Sequence, residues 1–221
     1  RSFRDHSRRG RGRVMKNNGK YIVGLIILIL VLVLGAGIII VNRSSTARRI
    51  QVVYIPKARD DANDFWTSLL KGAQMAANEY DVDLTILAPD SEQDFEAQVR
   101  YIDEAIAMNP NAIILSPSSK SEITEAANRI VVAGIRLVLI VSELDQNLQS
   151  IVVETDNVAA GRKMGEFILT HLPENPVIGV VSHVKSSSTA QERYQGLCEG
   201  LGDEKEHIVG TVYCDSNYEK A

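Results

Sequence analysis

The 221-residue sequence predicts an α/β protein with a doubly wound parallel sheet that is covered by helices on both faces. Short runs of β-branched residues alternate with amphipathic helical segments from residue 49 onward. The strand-like runs are continuously apolar, which is typical of strands buried on both faces of a parallel sheet. A strand and a helix recur about every 25–30 residues, the length of a βαβ unit.

A basic tail precedes this region. Residues 1–20 hold eight Lys/Arg and one acid, Asp5, whereas the chain from Ile50 onward holds 13 basic and 27 acidic residues, a net charge of −14. An acidic body repels phosphate, so no nucleic acid is expected as a partner. Met15 resembles a natural start, which would make residues 1–14 a leader, a cloning remnant or a mis-set start.

A transmembrane helix is predicted over residues 21–41. Ile22–Val41 contains no charge in twenty residues, and at about 1.5 Å per residue it would cross a hydrocarbon core of roughly 30 Å. The basic N-terminal flank predicts a single-pass cell-membrane protein whose α/β domain is extracytoplasmic. A cleaved signal peptide is the alternative, with Ser45-Thr46-Ala47 as its cleavage site. The polar residues 42–49 would form a linker.

The first strand–helix unit contains an aromatic pair. Within the helix predicted over 61–80, Phe65 belongs to the apolar stripe, and Trp66 lies about 100° further round. Ser119 and Glu122 form a capping-box pattern that opens a helix ending near Gly134. In chain order, strands are predicted at 49–55, 82–87, 111–116, 135–141 and 150–157, and helices at 61–80, 92–108 and 119–133.

The remaining chain continues the alternation, with helices at 157–171 and 189–200 and strands at 177–182 and 207–215. Cys198 and Cys214 fall in this part, as two buried thiols or as a disulfide. The four histidines are scattered, so no metal site is expected.

The strand ends are rich in hydroxyls, carboxylates and amides. In open α/β sheets, ligands bind beyond the carboxyl ends of the strands. This composition, with Asn63, Phe65 and Trp66 at the first helix start, suits a small, neutral polar ligand with an apolar face, such as a carbohydrate or polyol. The two aromatics would either stack on that ligand or belong to the core. The strand-end stretches are 56–66, 88–94, 116–120, 142–146 and 154–157.

Residues 50–221 resemble the periplasmic sugar-binding proteins of the ribose-binding type, relatives of the lactose-repressor-like ligand-binding domains. The matching segments are NDFW (63–66), KGAQMAANEYDVDL (71–84), NPNAIILSPSS (109–119), AGIRLVLIVSEL (133–144), ETDNVAAGRKMGEF (154–167) and TAQERYQGL (189–197). The resemblance implies the two-lobe type I periplasmic-binding-protein fold, which closes on its ligand about a hinge. The first lobe would be 50–157 and the second 158–221, and the second is expected to be incomplete.

The resemblance also implies site residues. Asn63, Phe65 and Trp66 would contact the sugar, and Asp156 and Asn157 would lie at the hinge. The strand-three rim would be Ser116, with Ser118 and Ser119. The family's Asp-Arg pair after strand four is replaced by Val141 and Ser142, followed by Glu143, and its second-lobe Arg falls on Gln191, with Arg193 two residues on. The ligand-binding set is therefore predicted as Asn63, Phe65, Trp66, Ser116, Ser142, Glu143, Gln191 and Arg193, with a modified sugar, a polyol or another small polar metabolite as ligand.

Two functions fit this module: solute capture for an ABC-type importer and its permease, or ligand sensing for a receptor or sensor kinase. An enzyme is not expected, because the sequence has no G-x-S-x-G elbow, P-loop or G-x-G-x-x-G motif. Ser182 and His183 are adjacent on a strand and point to opposite faces. No catalytic residue, metal or cofactor is therefore predicted. A DNA-binding regulator would need a helix-turn-helix where the apolar span lies.

Overall fold

The computed structural model describes residues 15–44, 49–60 and 63–221. Residues 1–14 of the predicted basic tail and residues 45–48 of the predicted linker, which include the alternative cleavage site at 45–47, lie outside the described residues. The chain divides into two units, Arg1–Arg48 and Arg49–Ala221. The second unit holds both sheets and every pocket discussed below.

The first unit contains one helix, α1 (Met15–Ser44). Its side chains are described over residues 20–34, and these are exposed. Nowhere in the described part of the chain is a helix both long enough and apolar enough to cross a membrane. The structure therefore does not support the transmembrane helix predicted over 21–41.

The second unit begins with a five-stranded parallel sheet in the order β2-β1-β3-β4-β5. Val53 on the second strand of this order lies opposite Thr85 on one side and Ile113 on the other. The prediction of a parallel sheet with flanking helices is confirmed. The strands are β1 (Gln51–Ile55), β2 (Asp83–Ile86), β3 (Ala112–Leu115), β4 (Arg136–Ile140) and β5 (Ile151–Val153).

Three helices connect these strands: α2 (Asp64–Glu79), α3 (Phe95–Met108) and α4 (Thr124–Val132). Asn63 caps α2 by accepting from the Phe65 N–H at 3.0 Å, and Asp94 caps α3 by accepting from the Ala97 N–H at 2.8 Å. Such caps satisfy amide groups that the first helical turn leaves unpaired. The core between sheet and helices is fully buried at Ile55, Ile102, Ile113, Leu115, Ile123, Ile130 and Leu139.

Two predicted boundaries differ from the structure by four or more residues. Helix α4 begins five residues later than predicted: the Ser119 hydroxyl accepts from the Glu122 N–H at 3.4 Å within a turn that precedes the helix. Strand β5 ends at Val153 rather than 157, because the Asp156 carboxylate accepts from the Ala159 N–H at 2.8 Å and caps the next helix.

The remaining elements are α5 (Asn157–Leu169), β6 (Ile178–Ser182), α6 (Ser188–Leu201), a 3-10 helix (Gly202–His207) and β7 (Ile208–Tyr213). Strands β6 and β7 form a second, two-stranded parallel sheet. Cys198 and Cys214 are free, half-buried thiols.

Helices α5 and α6 touch backbone to backbone. A Cβ atom added at Gly161 or Gly196 would lie well under 3.0 Å from a main-chain carbonyl oxygen of the facing helix. Gly165 on α5 and Gly200 on α6 are equally crowded. The four glycines therefore permit an approach that any larger residue would block.

Candidate functional site

A cavity of about 390 Å³ lies between the two sheets, at the carboxyl ends of their strands. Lys57 follows β1, Val141 follows β4, His183 follows β6 and Cys214 follows β7. This is the edge at which open α/β sheets bind ligands. The other lining residues are Asn63, Phe65, Trp66, Glu92, Thr189, Arg193, Ser216, Asn217, Tyr218 and Ala221.

Phe65 and Trp66 form the aromatic wall of this cavity. Their ring centroids are 5.0 Å apart and their planes meet at 84°, an edge-to-face pair. Phe65 is 52% exposed, whereas Trp66 is 2% exposed and donates from its indole Nε1 to Glu92 Oε1 at 2.8 Å. The prediction that Phe65 takes the buried face was wrong. The indole is buried instead, because Glu92, itself buried, accepts its N–H.

Asn63 lies beside this wall and is buried. Its side-chain oxygen is used in the α2 cap. The residue thus both starts the helix and borders the cavity, which fixes the position of Phe65 two residues on.

A hydrogen-bonded chain of polar side chains forms the opposite wall. Lys57, 2% exposed, donates from Nζ to Ser187 Oγ at 2.9 Å. The Ser187 and Thr189 hydroxyls are 2.7 Å apart, and the Thr189 hydroxyl is 2.7 Å from His183 Nε2. Burial lowers the pKa of Lys57 to about 8. Burial, with the charges of Lys57 and Arg193, lowers the pKa of His183 to about 4, so this ring is neutral at pH 7.

Arg193 lines the cavity from α6. Its Nε donates to Asn157 Oδ1 at 2.9 Å, and Asn157 Nδ2 donates to Glu192 Oε2 at 3.3 Å. Asn157 is buried between these two side chains of α6 at the start of α5. The hinge role predicted for Asp156 and Asn157 stays a prediction.

Three consecutive serines join the second sheet's elements to the loops of the first sheet. The Lys120 N–H donates to the Ser186 carbonyl at 2.9 Å, Lys57 binds Ser187, and the Glu143 N–H donates to Ser188 Oγ at 2.8 Å. Ser187 and Ser188 are fully buried. One short segment at the start of α6 therefore carries the polar contacts across the cavity.

A carboxyl pair lies near these contacts. Partial burial, a hydrogen bond to Glu143 and the negative charges of Glu143 and Glu192 raise the pKa of Glu154 to about 7, and Lys120 opposes this rise. Glu154 follows β5, where the chain leaves the first sheet for α5.

The structure brings four of the eight predicted ligand-binding residues into the cavity wall, Asn63, Phe65, Trp66 and Arg193. It does not bring the other four there. Ser116 is fully buried, with its hydroxyl 3.2 Å from the Tyr54 hydroxyl. Ser142 is fully buried, and its hydroxyl has no hydrogen-bond partner among the described residues. The Glu143 side chain pairs with Glu154, and Gln191 donates to the Lys185 carbonyl at 3.4 Å.

Sequence reasoning missed Lys57, Glu92, His183 and Thr189 as site residues. Lys57 and Glu92 lie in strand-end stretches that were already singled out, so that signal was available. Val141 lines the cavity with φ = 74°, a conformation that is strained for a β-branched residue. Residues with strained backbone conformations are concentrated at ligand-binding sites.

The wall can bind a ligand through ring faces, hydroxyls and cations. In the part of the chain that the structure describes, no group of three or more His, Cys, Asp or Glu side chains could hold a metal ion.

Comparison with known proteins yields one family. Residues 52–221 match the model described as a periplasmic binding protein domain. The ribose import binding protein of Bacillus subtilis (strain 168) is 25% identical over 147 residues, covering 66% of this chain and 47% of that protein. The D-allose-binding periplasmic protein of Escherichia coli (strain K12) is 27% identical over 149 residues, covering 63% and 48%. The chain thus spans about half the length of these curated relatives.

Solved structures agree in fold. The crystal structure of a sugar transporter from Clostridium phytofermentans has a TM-score of 0.74 at 42% identity, covering 76% of this chain and 62% of that one. An ABC transporter solute binding protein from Agrobacterium vitis with bound D-fucose has a TM-score of 0.71 at 24% identity, covering 77% and 60%. At that identity the likeness shows the fold alone.

Proposed function

The chain belongs to the periplasmic binding protein family, and on that premise we propose that it binds a small sugar or sugar-like ligand in the cavity between its two sheets. The observation that carries the proposal is the position of the Phe65–Trp66 wall at the carboxyl edge of the first sheet, facing the polar chain from Lys57 to His183. Ring faces suit the apolar face of a sugar, and hydroxyl and amide groups suit its oxygens.

The proposed mechanism is closure of two lobes, residues 50–157 and 158–221, over the ligand. Ligand bound between the lobes stabilises the closed arrangement and shifts the population toward it. The hydrogen bonds from Lys57, Lys120 and Glu143 to the segment Ser186–Ser188 would form on closure, because each joins a loop of the first lobe to the second.

The proposed role is delivery of the ligand to an ABC-type importer outside the cytoplasm. The relatives named for ribose import and for periplasmic D-allose binding support this role. We also propose that residues 21–41 hold the protein at the membrane, on the strength of the uncharged run Ile22–Val41. Alkaline washing of membranes from cells that produce the full chain tests this attachment, and complete release would contradict it.

A thermal-shift screen of the full chain against pentoses, hexoses, polyols and their acidic and phosphorylated forms tests ligand binding. A ligand present at 100 times its Kd should add about 2.7 kcal/mol of stability, which raises Tm. Phe65→Ala should remove most of that rise but change the Tm of the free protein little, because Phe65 is half exposed. No rise with any of these compounds at millimolar concentration would contradict the proposal.

A further inference from the structure

Two cationic side chains line the cavity, and neither has an anionic side chain in contact within the described part of the chain. Lys57 donates from Nζ to the neutral Ser187 hydroxyl at 2.9 Å, and Arg193 donates from Nε to the neutral amide of Asn157 at 2.9 Å. Among the described residues, the ion pairs all lie elsewhere. An ammonium group has three N–H donors and a guanidinium has five, so both retain capacity for a ligand.

Two carboxylates, Glu92 and Glu192, act on Lys57 electrostatically, and neither forms an ion pair with it among the described residues. Glu92 accepts the Trp66 N–H at 2.8 Å, and Glu192 accepts from Asn157 at 3.3 Å. A buried charge is costly unless it is paired, and Lys57 is one of the most buried side chains of the protein. This arrangement leaves one place in the cavity where a negative group would be favoured.

The neighbouring imidazole of His183 adds no positive charge, because its pKa is lowered to about 4, first by burial. Lys57 and Arg193 both act to lower the pKa of His183, in addition to burial. Among the described residues, the other side chains of the cavity lining contain no carboxylate, ammonium or guanidinium group. Of the four charges here, two cations and one carboxylate, Glu92, line the cavity, whereas Glu192 acts on Lys57 from outside the lining.

We infer that the ligand is an acidic sugar, whose carboxylate or phosphate group binds between the Lys57 ammonium and the Arg193 guanidinium. The inference rests on the proposed function, because the aromatic wall must take the sugar ring. Lys57 supplies a point charge and Arg193 a planar donor pair, and both suit carboxylate and phosphate oxygens. The two cations, offset by one carboxylate, match a single anionic group.

Matched pairs of compounds test the charge preference on the full chain. Calorimetric titration at pH 7 would compare D-glucuronate with D-glucose and D-ribose 5-phosphate with D-ribose. We expect at least one anionic member to bind ten-fold or more tightly than its neutral partner, and the pair that shows the preference identifies carboxylate or phosphate as the group. Lys57→Met should reduce that preference to less than about two-fold, whereas Lys71→Met, an exposed lysine of α2, should leave it unchanged.

A second measurement on the unmodified protein covers the case in which Lys57→Met fails to fold. Burial lowers the Lys57 pKa to about 8, with Glu92, Glu192 and Arg193 as the charges that face it. Affinity for the anionic compound should therefore fall as pH rises through 8 to 9, whereas affinity for a neutral sugar should not.

The outcomes separate the two proposals. A neutral sugar that binds as tightly as its anionic partner would overturn this inference and leave the proposed function standing. An anionic preference that survives both high pH and folded Lys57→Met would also overturn it. Failure of every neutral and anionic compound to bind would overturn the proposed function, and the inference with it.

Discussion

Trp66 is both a core residue and a wall of the cavity. Its indole is almost fully buried and its N–H satisfies Glu92, a carboxylate that is itself buried. A truncation to alanine would therefore cost fold stability, about 3–5 kcal/mol for a buried tryptophan, in addition to any loss of ligand contact. Phe65, half exposed beside it, is the aromatic whose removal separates binding from folding.

Trp66→Phe should lower the free energy of unfolding by about 1–3 kcal/mol, because Glu92 would remain buried without its donor. Phe65→Ala should lower it by less than about 1 kcal/mol, since its ring is already half in water. Urea unfolding followed by circular dichroism measures both. Equal losses for the two variants would show that the Trp66–Glu92 hydrogen bond contributes nothing specific.

The sequence predicted the position of these residues but not their orientation. Apolar spacing along α2 assigns a face to each side chain, and it placed Phe65 inward. The deciding partner, Glu92, is 26 residues away, beyond the reach of any local pattern. Lys57 shows the same limit: its place after β1 follows from strand-end reasoning, whereas its burial depends on Ser187, 130 residues on.

At the level of elements, the contact between α5 and α6 is set by four glycines. Gly161 and Gly165 on one helix face Gly196 and Gly200 on the other, and each would place a Cβ against facing backbone. Backbone cannot move aside as a flexible side chain can, so substitution must separate the helices. Both helices were predicted from periodicity, but glycines four residues apart gave no sign of which helix they would meet.

Gly161→Ala should lower the free energy of unfolding by about 1–3 kcal/mol through overpacking. Gly72→Ala is the matched control: Gly72 lies within α2 with nothing within 4 Å of its added Cβ. Alanine there should raise stability by roughly 0.5–1 kcal/mol, because glycine is a poor helix former. Chemical denaturation measures the stability of both variants. A Gly161→Ala protein as stable as Gly72→Ala would contradict the close approach of α5 to α6.

At the level of the whole molecule, the parallel sheets could be predicted from the sequence, whereas the polar contacts between them could not. Continuous apolar strands and βαβ spacing are local features, and they predicted five strands of the first sheet and two of the second. The contacts from Lys57, Lys120 and Glu143 to Ser186–Ser188 join residues 45 or more positions apart. Serine carries no periodic signal, so their convergence needed the fold.

Glu154, which follows β5 where the chain leaves the first sheet, makes the folding stability depend on pH. Its pKa is raised to about 7 from a model-peptide value of 4.5, first by burial and then by Glu143 and Glu192. Between these pH values the folded protein holds a proton that the unfolded chain has lost. The contribution of Glu154 is therefore full below pH 4.5 and is lost as pH rises to 7.

Glu154→Gln should remove this dependence. His183 acts in the opposite sense, since its lowered pKa of about 4 costs stability as pH falls below 6.5. The measured quantity is therefore the difference in Tm between wild type and Glu154→Gln, scanned from pH 4.5 to 7.5. The Tm of the wild type should fall relative to that of Glu154→Gln as pH rises. A difference in Tm that stays constant would show that Glu154 titrates normally.

The chain contains one tryptophan, and that residue is Trp66. Its indole borders the cavity and is held by a carboxylate, so its emission wavelength and quenching depend on what occupies the space in front of it. Intrinsic fluorescence excited at the red edge of indole absorption therefore reports on the surroundings of Trp66 alone. The protein carries its own optical reporter, and ligand titrations need no added label.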